Sequence, residues 1–138
     1  LKHTLGKSER LSKKVLIDAL FTKQCPAFLL HGFRFSFQFV ESPQESFCSV
    51  LFVSSKKKLK TAAERNRRKR LLKELYRLNK TPLIQYLAEQ QTPITLSINW
   101  VSAEDLNFHT HQPFFVKAIQ RLISELQKNH KPAAHLAH

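Results

Sequence analysis

The chain reads as an α+β sandwich, one mainly antiparallel sheet with helices packed on it. Three observations predict that class. Its 138 residues suit one domain, and 42% of them are apolar, enough for a core. Phe33, Phe35, Phe37 and Phe39 alternate with Arg34, Ser36 and Gln38, the period-two mark of a strand with one apolar face. Residues 59–79 carry leucines at helical spacing inside a dense block of cations.

The elements follow in order. Ser12 fits the cap of a helix over 13–23, in which Leu16/Leu20 and Ile17/Phe21 are i,i+4 pairs. The Phe-rich strand at 33–39 comes next. Ser42, Pro43, Gln44 and Glu45 suit a hairpin turn leading into a second strand at 47–53. The long basic helix at 59–79 is followed by a short helical extension at 82–90. Thr92 and Pro93 precede a strand at 94–101, so a strand–helix–strand crossover spans the basic helix. Ser102 and Asp105 resemble a capping box, although the residues after them read as loop. Pro113 fits the first turn of a last helix with Phe115, Ile119, Leu122 and Leu126 on one face. Residues 1–129 form the single domain, and 130–138 read as a flexible tail.

Charge narrows the function. The formal net charge is +13, and residues 56–80 hold twelve Lys and Arg against Glu64 and Glu74. A surplus of this size calls for a polyanionic partner, nucleic acid or an anionic membrane. No run approaches the ~20 apolar residues of a spanning helix. The first 25 residues lack the compact apolar region of a signal peptide, which predicts a cytoplasmic setting and no membrane partner. Cys25 and Cys48 form no metal-binding spacing and read as reduced core residues, with a disulfide left open.

On a helical wheel Leu71, Leu75 and Leu78 cluster, with Leu72 at the edge, and this face is expected to bury against the sheet. Opposite it Asn66, Lys69, Arg70, Lys73 and Arg77 form a ridge, and Arg65 and Arg67 flank Asn66. Guanidinium forks grip phosphate, and Asn reads a base edge or a 2′-hydroxyl. Lys56, Lys57, Lys58 and Lys60 gather at the helix start, where free backbone N–H groups add positive potential. Only Glu74 is placed to relieve the ridge, at i,i+4 from Arg70. Exposed aromatics on a sheet face stack single-stranded bases, and four Phe on one strand exceed what a small core needs, so Phe35 and Phe37 are candidate contacts. Lys13, Lys14, Ile17 and Phe21 on the first helix would frame such a groove.

The stretch from Lys56 to Arg77, with Arg65-Asn66-Arg67, Lys69-Arg70, Leu71-Leu72 and a final Arg, closely resembles the signature of the bacterial ribonuclease P protein component. Arg10-Leu11 and Leu20-Phe21 match that family's N-terminal pattern, and the order of elements matches over residues 8–128. The resemblance implies an α-β-β-β-α-β-α fold, ribosomal-protein-S5-like, with a left-handed crossover around the basic helix. It implies that a large catalytic RNA, using Mg²⁺, hydrolyses the phosphodiester at the 5′ end of mature tRNA. The protein would bind that RNA and hold the 5′ leader of precursor tRNA between the first helix, the sheet and the basic helix. Carried over, Arg65, Asn66, Lys69 and Lys73 match RNA- or leader-facing positions, Phe21 a leader contact, and Phe37 or Phe35 an aromatic on the second strand. Three positions depart from the pattern. Ile17 replaces an aromatic, Gln24 replaces a Gly, and Arg68 replaces a β-branched apolar residue, where it either reaches solvent or adds an RNA contact.

No nuclease motif is present in the chain itself, which fits catalysis by RNA. His109 and His111, the one close His pair, read as surface-loop residues rather than metal ligands. The alternative reading is a ribosomal or chaperone-like RNA-binding protein without an enzyme partner. DNA binding by a helix-turn-helix is a poorer third, since no partner helix and tight turn precede the basic helix.

Overall fold

The computed structural model describes residues 5–40, 46–54 and 61–129. A 3-10 turn at Lys7–Glu9 leads into helix α1 (Lys14–Leu20), strands β1 (Ala27–Leu30), β2 (Phe33–Phe39) and β3 (Cys48–Val53), helices α2 (Ala62–Asn79) and α3 (Thr81–Gln90), strand β4 (Ile94–Trp100) and helix α4 (Phe108–Asn129). The sheet order is β1-β2-β4-β3. β1–β2 and β2–β4 are antiparallel, while β3 and β4 run parallel. The α+β sandwich with a mainly antiparallel sheet is therefore present, and α2 and α3 form the crossover between the parallel pair.

The sheet separates two cores. On one face Phe33, Phe35 and Phe37 meet Val50, Phe52, Leu96 and Ile98 beneath Leu72 and Leu75 of α2, Leu83 and Leu87 of α3, and Phe115, Ile119 and Leu122 of α4. On the other face a smaller cluster joins Leu11, Leu20 and Cys25 with Leu16, Ile17 and Leu51. α1 packs there, across β2 and β4. Alternation of side chains along each strand makes this division possible.

Several expectations need correction. The hairpin between the second and third strands does not form: β4 lies between them, and the proposed turn residues fall outside the described residues. β4 takes the central place because its residues from Ile94 to Ile98 are buried on both faces. The real hairpin joins β1, which lacks a period-two signal, to β2. His31 (φ 47°) and Gly32 (φ 89°) form its two-residue loop, the positive-φ pair that matches strand twist. A Cβ at Gly32 would come within 2.6 Å of the Trp100 ring, so that glycine serves both backbone and packing.

Helix ends also move. Lys13, not Ser12, occupies the N-cap of α1, with no side-chain cap, and the helix stops at Leu20. α2 starts at Ala62, where the Thr61 hydroxyl accepts the Glu64 N–H at 3.1 Å. α4 starts at Phe108, leaving Pro113 inside the helix rather than in its first turn. The Asn107 side chain accepts the Thr110 N–H (2.9 Å), and His111 Nδ1 accepts the Asn107 N–H (2.9 Å). This reciprocal cap extends α4 past the point where proline alone would start it. His111 is thus a buried capping residue, not a surface one.

Lys80 and Glu9 close the far end of α2. Their ion pair spans 2.5 Å with both side chains largely buried, and it ties the N-terminal segment to the α2–α3 junction. Nearby, Arg10 bridges in parallel to Val50 at the outer edge of β3. Among the described residues no helix is long and apolar enough to cross a membrane.

Candidate RNA-binding surface

The buried side of α2 is Arg68, Leu72, Leu75 and Tyr76. Leu78 is 37% exposed and Leu71 half-buried, so the apolar face is rotated from the predicted one. Tyr76 accounts for the rotation. Its ring stands edge-on to Phe52 at 5.9 Å, which draws that side of the helix onto β3. Burial pushes the Cys48 thiol up to about 12 and raises Tyr76 well above its usual range.

Outward-facing side chains follow from this rotation. Asn66, Arg67, Arg70 and Lys73 are exposed, while Arg65, Lys69 and Arg77 are half-buried. Arg65, Lys69 and Tyr76 share one stripe, at i, i+4 and i+11, so Arg65 and Lys69 lie on the flank of α2 nearest β3. Arg67 lies on the opposite flank, towards the β4–α4 loop, where it borders a pocket with Asp105. The Arg-Asn-Arg block is therefore splayed over both flanks with Asn66 between them.

Glu74 does not relieve Arg70. It binds Arg77 bidentately, Nε to Oε2 at 2.7 Å and Nη2 to Oε1 at 2.9 Å. Those bonds hold the Glu74 carboxyl below the usual carboxylate range and raise Arg77. Arg77 is thus partly neutralised, while Arg70 and Lys73 keep their charge facing water. Lys56, Lys57 and Lys58 lie outside the described residues.

Arg68 takes neither of its two expected courses. It is 6% exposed, and its Nη1 donates to the Trp100 carbonyl at 3.4 Å, tying α2 to the end of β4. Burial pushes its pKa down, Asp105 opposes that shift, Arg67 adds to it and Glu64 opposes it. The Trp100 indole N–H donates to the Glu104 carbonyl at 2.7 Å, which fixes the loop before α4.

Phe35 and Phe37 do not line a cleft. They are 0% and 1% exposed, and Phe35 packs on Phe28 (5.2 Å) and Phe115 (5.7 Å). Helix α4 packs on the aromatic face of β2, and both rings are buried in the core, so they are unavailable for base stacking. The face that carries α1 is built from the alternate residues. Cross-strand pairing sets Leu29, Arg34, Asn99 and Val53 in one row and Ala27, Ser36, Ser97 and Leu51 in the next. The Ser36 and Ser97 hydroxyls hydrogen-bond within the second row. In the first row Arg34 and Leu29 are exposed, and the buried Oδ1 of Asn99 has no hydrogen-bond partner among the described residues.

Beside these rows stands α1. Phe21 is 58% exposed at its C-cap, Ile17 is half-buried in the small core, and Lys13 is exposed. Lys14 is also exposed and pairs with Asp18 at 3.3 Å. On this side the sheet presents the exposed Arg34 beside the exposed Leu29, and Arg34 escaped the sequence reading. The signal was present in the alternation of Arg34, Ser36 and Gln38 with the Phe set. Among the described residues no three His, Cys, Asp or Glu side chains converge as metal ligands would.

Comparison with known proteins agrees with this architecture. A family model described as Ribonuclease P matches residues 5–122. The ribonuclease P protein components of two strains of Porphyromonas gingivalis are each 34% identical over 118 residues, covering 86% of this chain and 85% of theirs.

Proposed function

Because this chain belongs to the ribonuclease P protein component family, we propose that α2 binds the catalytic RNA while the α1 groove holds the 5′ leader of precursor tRNA. The observation that carries this reading is the exposed, unneutralised face of Arg67, Arg70 and Lys73 around Asn66. Repulsion along such a face destabilises the isolated fold, and a polyanion removes it. Each phosphate neutralised also releases counterions, an entropic gain that needs no base sequence.

The groove supplies a second kind of contact. Phe21 offers a ring to a base, and Lys13 and Arg34 attract phosphates. This assignment moves the sheet contribution from Phe35 and Phe37 to Arg34. The Mg²⁺ that drives phosphodiester hydrolysis belongs with the RNA, and the protein's part is to position substrate and lower repulsion between two RNAs. DNA is not the proposed partner, and cytoplasmic tRNA processing is the proposed setting.

Reconstitution tests the reading. Added to ribonuclease P RNA at low Mg²⁺, the protein should accelerate 5′ cleavage of a precursor tRNA. Absence of any acceleration would reject it in favour of a ribosomal or chaperone-like RNA-binding role.

A further inference from the structure

We propose that the pocket between α2 and the β4–α4 loop captures one unstacked guanine of the partner RNA; this rests on the RNA-binding reading of α2 above. Glu64, Arg67, Arg68, Asp105 and Leu106 line the pocket. Its volume is about 170 Å³, well under the ~300 Å³ at which drug-sized ligand sites begin, so it fits a single base and not a whole nucleotide.

Its charges are what make it a site. Two guanidiniums and two carboxylates surround one small space, yet among the described residues no ion pair joins any two of these four side chains. Arg68 is more than nine-tenths buried, and among the described residues its one hydrogen bond, to the Trp100 carbonyl, is long at 3.4 Å. A guanidinium has five N–H donors, so most of its capacity is unspent. Leu106, 2% exposed, provides an apolar wall.

The occupant must satisfy both signs. A phosphate would face Glu64 and Asp105, and a metal cation would face Arg67 and Arg68, so each meets repulsion. A neutral planar group with donors on one edge and acceptors on another meets none. Among the bases guanine has two adjacent donors, N1–H and N2–H, that match a carboxylate, and two adjacent acceptors, O6 and N7, that match a guanidinium fork. Single-stranded RNA offers such edges when a base is splayed out of its stack. In the proposed pose Asp105 accepts the two donors, an arginine fork donates to O6 and N7, and the ring lies against Leu106. The replacement of an apolar residue by Arg68 then has a purpose beyond packing.

The test is interference mapping with ribonuclease P RNA carrying inosine at random guanosine positions, comparing the wild-type protein with Asp105→Asn. Asp105 is exposed and forms no ion pair among the described residues, so this variant keeps the fold. Inosine lacks the N2 amino group. With wild-type protein, inosine at one guanosine should lower recovery in the bound fraction about tenfold, the loss of a hydrogen bond to a charged group. With Asp105→Asn that position should become indifferent, and overall affinity should fall about tenfold. Identical maps for the two proteins, with wild-type binding intact, would overturn the pocket assignment alone. Failure of the wild-type protein to bind this RNA at low salt would overturn the reading of α2 and the pocket with it.

Discussion

Replacing Arg70 and Lys73 together by Ala isolates the electrostatic part of the proposed RNA contact. Both side chains are exposed, and they sit three residues apart on the same surface of α2. Each cation that neutralises a phosphate contributes about −0.9 to the slope of log K against log salt on a duplex, or about −0.7 on a single strand. Losing two such contacts makes the slope shallower by about 1.4–1.8. Across a fourfold rise in salt, from about 50 to 200 mM, the wild-type protein then loses about seven- to twelvefold more affinity than the variant. The assay is filter binding of ribonuclease P RNA over a salt series. Melting temperature should hold or rise, because the substitution removes like-charge repulsion and no buried contact. Parallel salt lines for the two proteins would refute the argument, since they would mean that neither side chain reaches a phosphate.

Phe37→Ala should lower folding stability by about 3–5 kcal/mol, as for other buried aromatics, whereas Arg34→Ala should leave the melting temperature unchanged and weaken leader-bearing precursor more than leaderless tRNA. Denaturant melts and the two substrates' affinities separate these outcomes; equal losses on both substrates would count against the groove. Glu74→Gln releases Arg77, so RNA affinity should rise. The depressed carboxyl of Glu74 stabilises the fold above its unfolded pKa and loses that effect as pH falls through the folded value. Melting temperatures of wild type and Glu74→Gln should therefore differ at neutral pH and converge in acid. Cys25 and Cys48 are free and buried, and both thiols are raised by desolvation, so native protein at pH 8 should resist iodoacetamide and react only in denaturant.

Much of the fold was legible because its periodicities are strong. The Phe alternation of β2 and the stripe of Phe115, Ile119, Leu122 and Leu126 in α4 both match buried faces. β1 was not legible: Ala27–Leu30 is short, and an apolar run of four gives no period. Strand pairing was misread for another reason. Adjacency in sequence favours a hairpin between β2 and β3, and the burial of β4 on both faces overrides it. In the candidate site the block around Asn66 came from charge alone, which a sequence displays directly. The wall of the groove did not, because alternation divides β2 into two faces without saying which one a helix covers completely. Arg68 was ambiguous since its carbonyl partner, Trp100, lies 32 residues away.

The place of β4 in the sheet also governs the order in which the chain can assemble. Until residues 94–100 have left the ribosome, β2 has only β1 beside it, and β3 lacks its principal strand partner. The crowded cations of α2 meanwhile have no completed apolar surface to sit on, because Ile98 and Leu96 are part of that surface and Phe115 and Ile119 of α4 complete it. Long-range closure of this kind slows folding and leaves strand edges open to other chains in the interval. A nascent chain ending near Asn79 would carry nearly all the RNA-attracting charge without the sheet that aims it. The protein should therefore acquire its specificity late, only once β4 is made and slides between two strands that already exist.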